Sequence, residues 1–227
     1  MKRWPLCCLL FFLLACHSQK TNQSDANNLK DSLLKERSID EAINQITRVK
    51  KTVLPGDLVV RTGKDFTSDA MRKLSQQDKT YSHCGIASWE EDTLFVYHAL
   101  GGDFNPDQKI RRDPFEFFCN PYENKGFGIF RYQLNKQQQQ GIVRIAKDYF
   151  LKGTRFDMQF DLTTDERMYC SEYIYKTIKK ATSGSIPLHT TTLNKIQFVA
   201  IDNLFVNPYC SEIQRVVFNQ NNSLLSK

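Results

Sequence analysis

Apolar residues are distributed in three ways along the chain. Behind Lys2 and Arg3 comes a nearly unbroken apolar run from Leu6 to Ala15. It is too short to cross a bilayer as a permanent helix and has the form of an export signal. Residues 16–28 are polar, rich in Ser, Asn and Gln, and their lack of an apolar period predicts a flexible tether. From Leu29 a helical spacing sets in, with Leu33, Leu34, Ala42, Ile43, Ile46 and Val49 on one face, and Ser38-Ile39-Asp40-Glu41 has the S-x-x-E form of a capping box. Residues 29–52 thus predict a helical extension, as two short helices or one broken at Ser38.

Beyond residue 53 the period alternates between strand and helix, which predicts one α+β domain over residues 53–218. Leu54-Pro55-Gly56-Asp57 is a turn signal ahead of a strand over 58–61, and Thr67 or Ser68 is placed to cap a helix through Leu74. Residues 81–89 and 94–100 read as a hairpin around the charged turn at 90–93. Asp113-Pro114 has the form of a cap followed by proline at the first helical position. A strand over 126–134 leads to Asn135 and a helix whose Ile142, Ile145, Ala146, Tyr149 and Phe150 form one stripe. Phe156, Met158 and Phe160 alternate as in an extended segment, and a helix beginning at Tyr169-Cys170-Ser171-Glu172 ends near Gly184. Residues 185–200 read as irregular, Asp202 as the cap of a short turn, 213–218 as a last strand and 219–227 as a fraying tail.

Composition narrows the function. The chain has 227 residues, 41% of them apolar and 12% aromatic, enough to bury a core and incompatible with disorder throughout. Its net charge of +6 is spread without a Lys/Arg block, so nucleic acid is not the expected partner. No Gly-rich phosphate loop or dinucleotide fingerprint is present, and no cofactor is expected. Leu13-Leu14-Ala15-Cys16 resembles the lipobox of bacterial lipoproteins, which implies cleavage before Cys16 and a lipidated Cys16 holding an exported protein at a membrane surface.

Four cysteines then remain for chemistry: Cys84, Cys119, Cys170 and Cys210. Cys170 opens a helix after a polar loop, where unpaired backbone N–H groups and the helix dipole favour a thiolate. Cys210-Ser211-Glu212 repeats the triplet of Cys170-Ser171-Glu172 but leads into a strand, so Cys210 reads as a core residue or as half of a bridge to Cys119. Cys84 should point to the packed face opposite His83. Of four histidines, His83 and His98 fall in the hairpin. If it closes evenly, residue 98 lies opposite residue 85, and both imidazoles face one side as diagonal neighbours. A metal held by His83, His98 and Cys170 lacks any supporting Cys-x-x-Cys or His-x-x-x-His spacing.

Tyr81-Ser82-His83-Cys84-Gly85-Ile86, Val96-Tyr97-His98-Ala99, Phe156-Asp157 and Arg167-Met168-Tyr169-Cys170-Ser171-Glu172 together resemble the YiiX/YaeF-like family of permuted papain-fold amidases, relatives of the NlpC peptidases. The resemblance implies a circularly permuted papain-like fold, a small antiparallel sheet or half-barrel packed on helices. It implies a membrane-anchored cysteine amidase or peptidase with Cys170 as nucleophile, His83 as general base and His98 orienting His83, acting on an amide bond such as those of cell-wall peptides. The family more often carries an acid in the place of His98. Tyr81 and Ser171 would line the oxyanion or substrate site, while Glu172 and Asp157 read as helix-start and turn residues. A lipid acyltransferase or esterase using the same pair, and a noncatalytic binding lipoprotein, are the alternatives.

Overall fold

The computed structural model describes residues 19–102 and 104–219. The expected signal segment, Cys16 and nearly all of the tail lie outside them. The chain divides at Arg37: the turns of the first helix before that point belong to one unit, and Ser38–Gln220 make up the other. That first helix, α1, runs over Gln19–Lys50. It starts inside the segment expected to be a tether and passes Ser38 without a break. No proline or glycine interrupts these 32 residues, and Ser, Asn and Gln are only mildly unfavourable inside a helix.

The main unit is α+β. In chain order it contains β1 (Leu58–Gly63), α2 (Phe66–Leu74), β2 (His83–Glu90), β3 (Thr93–His98), β4 (Arg111–Pro114), α3 (Phe115–Phe118), β5 (Asn124–Tyr132) and α4 (Lys136–Leu151). Then follow α5 (Cys170–Ala181), the small hairpin β6 (Thr191–Leu193) and β7 (Ile196–Phe198), α6 (Ile201–Phe205) and β8 (Cys210–Val217). Six strands form one sheet in the order β4-β3-β2-β1-β5-β8, and each neighbouring pair is antiparallel.

Strand alternation gives the sheet two buried faces. Leu58, Val60, Cys84, Ile86 and Tyr97 point to one, where they meet Ile142 and Ala146 of α4, Ile174 and Ile178 of α5, and Leu204 of α6. Val59, Ala87, Leu94, Val96 and Phe127 point to the other, covered by Ala42, Ile46 and Val49 of α1 and by Phe115 and Phe118 of α3. Helices on both sides explain why the central strands β1 and β2 are buried along almost their whole length.

Several local expectations are corrected. Asp65 caps α2, accepting the Ser68 N–H at 2.9 Å, in place of Thr67 or Ser68. Asp113 caps nothing: it lies in β4, and Pro114 takes the position before α3 without a side-chain hydrogen bond. Residues 156–160 form a loop and not an extended segment, because the Asp157 carboxylate gathers the N–H groups of Gln159 and Asp161 and Phe160 has φ of 57°. Asp202 sits inside α6 and accepts the N–H groups of Gln76 and Gln77, tying α6 to the loop after α2. Cys119 and Cys210 are free thiols packed on opposite faces of the sheet, which precludes a bridge between them.

The entry to the sheet is fixed by one ion pair. Gly56, at φ of 87°, closes the turn before β1, and Asp57 accepts the Leu54 N–H at 2.8 Å. Arg131 of β5 donates to both Asp57 oxygens at 2.8 Å and to the Thr52 carbonyl. Asp57 is 1% exposed, so its charge depends on this partner. Replacement Arg131→Met is expected to cost about 3 kcal/mol by leaving a buried carboxylate unpaired, measured as a lower urea midpoint. An unchanged midpoint would refute the assignment.

Candidate functional site

The hairpin register sets the first half of the site. Ile86 pairs with Tyr97 and Ala87 with Val96, a pairing that continues to place Gly85 opposite His98. The even register puts His83 and His98 on the same face, as the sequence implied. A Cβ on Gly85 would lie 2.4 Å from Val96 Cγ1 and 3.1 Å from His98 Cβ, so the glycine lets β3 approach at this point. The two rings meet edge to face, with centroids 5.0 Å apart and His83 Nε2 at 2.8 Å from His98 Nδ1. Both pack on Phe118 of α3.

A third member was missed in the sequence. His98 Nε2 lies 2.9 Å from Asp113 Oδ2, and Arg111 holds the same carboxylate at 2.8 Å. Strand β4 creates the contact by pairing Arg111 with His98 and Asp113 with Val96. The Asp113-Pro114 pair looked like a helix cap, which concealed this role. The carboxylate that seemed to be missing from the position of His98 therefore stands behind it.

The chain fixes the tautomers. Asp113 accepts, so His98 Nε2 carries a proton and His98 Nδ1 offers a lone pair. That lone pair accepts the N–H at His83 Nε2, which leaves the lone pair of His83 on Nδ1. Among the described residues nothing hydrogen-bonds to that nitrogen. Burial in the first place, then the charge of Arg61 and the presence of His98 and Arg111, hold His83 well below the ordinary histidine value. Burial likewise lowers His98, against the opposing pull of Asp113. Burial alone would raise Asp113, but His98 and Arg111 outweigh it and keep the carboxyl below its usual range. Both rings are accordingly neutral at pH 7, with Asp113 ionised.

Cys170 is the first residue of α5 and is half-buried. Its helix start is secured by side chains whose roles the sequence only partly showed. Glu172 accepts the Tyr169 N–H at 3.2 Å and pairs with Lys176 at 3.0 Å, the helix-start role expected of it. Its burial pushes its pKa up to about 7 against the opposing effect of Lys176. The Tyr169 hydroxyl accepts the Val199 N–H, and the Ser171 hydroxyl donates to the Val199 carbonyl at 2.7 Å. The Ser171 hydroxyl thus ties the helix start to the scaffold, and both it and the Ser171 backbone N–H act on the Cys170 sulfur. Tyr81 is a core residue, contrary to the expected place in an oxyanion site. It packs edge-on against Phe130 and Phe205, and its hydroxyl has no partner among the described residues.

The thiol of Cys170 meets Cys84. As expected, Cys84 points away from His83, into the core that α5 covers. The neighbouring Cys84 thiol, followed by the backbone N–H and hydroxyl of Ser171 and the N–H of Cys170 itself, lowers Cys170 below an ordinary thiol although burial opposes. Cys84 moves the other way, raised first by burial and then by its neighbour Cys170. The structure brings His83, His98 and Asp113 into one hydrogen-bonded chain and sets Cys170 against the residue next to His83. It does not join Cys170 and His83 by a hydrogen bond.

Because the neighbouring Cys84 thiol is the largest influence on Cys170 and lowers it, Cys84→Ala is expected to raise the pH midpoint for alkylation of Cys170 by iodoacetamide. A midpoint that stays put or falls would show that the two thiols are uncoupled.

No family model matches the chain, and neither does any curated protein. A solved structure does: the crystal structure of metalloprotein YiiX from Escherichia coli O157:H7 matches with a TM-score of 0.58 and 19% sequence identity, over 72% of this chain and 97% of that one. The likeness is one of fold, an antiparallel sheet packed against helices.

Proposed function

We propose that the protein is a cysteine-dependent acyl-transfer enzyme, an amidase or peptidase of the permuted papain-like type, with Cys170 as nucleophile and His83 as general base. The observation that carries this reading is the directed chain Asp113–His98–His83, which leaves an unused lone pair on His83 Nδ1, one residue along β2 from Cys84, whose side chain lies in the core against which Cys170 packs at the start of α5. A buried, neutral imidazole is a competent base, and a thiol with a lowered pKa is a competent nucleophile.

In this reading Cys170 turns from Cys84 toward His83 when substrate enters, and its proton passes to His83 Nδ1. The sulfur attacks an amide carbonyl, and the backbone N–H groups of Cys170 and Ser171 stabilise the oxyanion. His83 gives its proton to the leaving amine, and water releases the acyl group. The imidazolium is stabilised through His98 by the charge of Asp113, the part that a carboxylate plays in a triad. Cell-wall peptides are the substrates that fit an exported protein held at a membrane by a lipidated Cys16. No helix among the described residues is long and apolar enough to cross a membrane itself.

The metalloprotein description of the structural neighbour raises a second reading. The donors here do not fit it. Both nitrogens of His98 and one of His83 are engaged in the chain, and among the described residues no group of three or more His, Cys, Asp or Glu side chains is arranged to hold a metal ion. No step of the mechanism is routed through one.

The test is parallel incubation with muropeptides and phospholipids, followed by product analysis. Release of peptide products, reduced by at least about 10³-fold in Cys170→Ser and in His83→Gln, is the expected result. Products from phospholipid alone would assign a lipid acyltransferase, and no product from a folded protein whose Cys170 resists alkylation would assign a binding protein. Asp113→Asn is expected to reduce turnover by about 10²-fold or more with little loss of stability. An amide donating to His98 reverses both tautomers and moves the lone pair off His83 Nδ1. Full activity in that variant would remove Asp113 from the mechanism.

A further inference from the structure

Arg61 is the charged group at this site that the mechanism does not use. Arg61 is the direct partner of His83 across β1 and β2, so its side chain leaves the sheet on the face of the two imidazoles. Its guanidinium lies 5.1 Å from the centre of the Phe118 ring, the ring on which His83 and His98 also pack. Its one hydrogen bond goes to a neutral acceptor, Asn124 Oδ1, at 2.8 Å. Its Nε is buried without a partner.

Other arginines of the fold are compensated. Arg131 is paired with Asp57, Arg111 with Asp113, Arg112 with Glu90 and Arg215 with Asp78. Among the described residues no carboxylate is in ion-pair contact with Arg61. Glu123 and Asp65 act on it only at a distance, as do the thiols of Cys119 and Cys170. A half-buried guanidinium without a carboxylate loses hydration and gains no ion pair in return. Its planar fork has the shape to receive a carboxylate.

We infer that Arg61 makes the site selective for acyl substrates bearing a carboxylate close to the bond that Cys170 attacks. The inference rests on Cys170 being the nucleophile. It narrows the substrate class from amides in general to those of acidic peptides, and it places the anion on the β1 side of the imidazole pair. Arg61 holds the substrate's charge and takes no part in proton transfer, which the His83–His98–Asp113 chain carries.

The experiment needs no known substrate. Alkylation of Cys170 by iodoacetate and by iodoacetamide forms the same carbon–sulfur bond with loss of iodide, and the two reagents differ in one carboxylate. The ratio of their rates is measured on the full chain relative to the same ratio for glutathione, with Cys170→Ser identifying the labelled site. The expected ratio exceeds the glutathione reference by about tenfold at low salt, returns to the reference in Arg61→Gln and is largely kept in Arg61→Lys. A wild-type ratio at the reference value overturns the inference. So does a parallel slowing of both reagents in Arg61→Gln with the ratio unchanged, which would make Arg61 a stabiliser of the thiolate alone. If iodoacetamide reacts and muropeptides are cleaved without any preference for iodoacetate, the inference fails and the proposed function stands. A Cys170 inert to both reagents overturns the two together.

Discussion

The register of β3 on β2 is the constraint from which the site follows. With Ile86 opposite Tyr97, His98 comes to lie across from Gly85 and its ring reaches that of His83. A slip of one residue would send His98 to the opposite face, among Ile174 and Ile178 of α5, and would bury an imidazole without an acceptor. The apolar alternation holds the register: Tyr97 and Ile86 belong to the α4–α5 core, and Val96 and Ala87 to the α1–α3 core. Neither set can change sides without exposing apolar surface or burying polar groups.

Burial then decides the protonation states. His83 and His98 are 6% and 1% exposed, and a low-dielectric surrounding disfavours their charged forms. Asp113 gives the pair a direction, because a carboxylate that accepts at one end determines which nitrogen is free at the other. The thiol side is set independently, by a helix start that Glu172, Tyr169 and Ser171 fix through Val199 and Lys176. The two halves are built on different layers of the fold and meet at neighbouring residues of β2, His83 and Cys84. On the proposed reading, catalysis consists of moving one sulfur between these two neighbours.

Arg61 fits the same electrostatic arrangement. A positive charge beside a neutral imidazole keeps that ring neutral, and beside a thiol it favours the anion. Neither effect satisfies the guanidinium itself, whose hydrogen-bonding capacity stays mostly open. The surrounding structure satisfies its buried charges elsewhere, as at Asp57 with Arg131. An unpaired arginine is thus a local departure from how the rest of the fold handles charge.

The sequence by itself determined the elements whose signals are local. The helix behind Asn135, the hairpin around residues 90–93, the even register that put His83 and His98 on one face and the position of Cys170 at a helix start were all legible, because periodicity and capping act over a few residues. The tertiary structure decided the rest. Asp113 has a cap's sequence signature and a strand's position, and its link to His98 exists only because β4 pairs with β3. Tyr81 looked available to a substrate until packing against Phe130 and Phe205 committed it to the core. The meeting of Cys84 with Cys170 joins residues 86 positions apart in the chain, across a helix–sheet interface. Local sequence carries no record of such pairs, since they arise when separate faces are buried together.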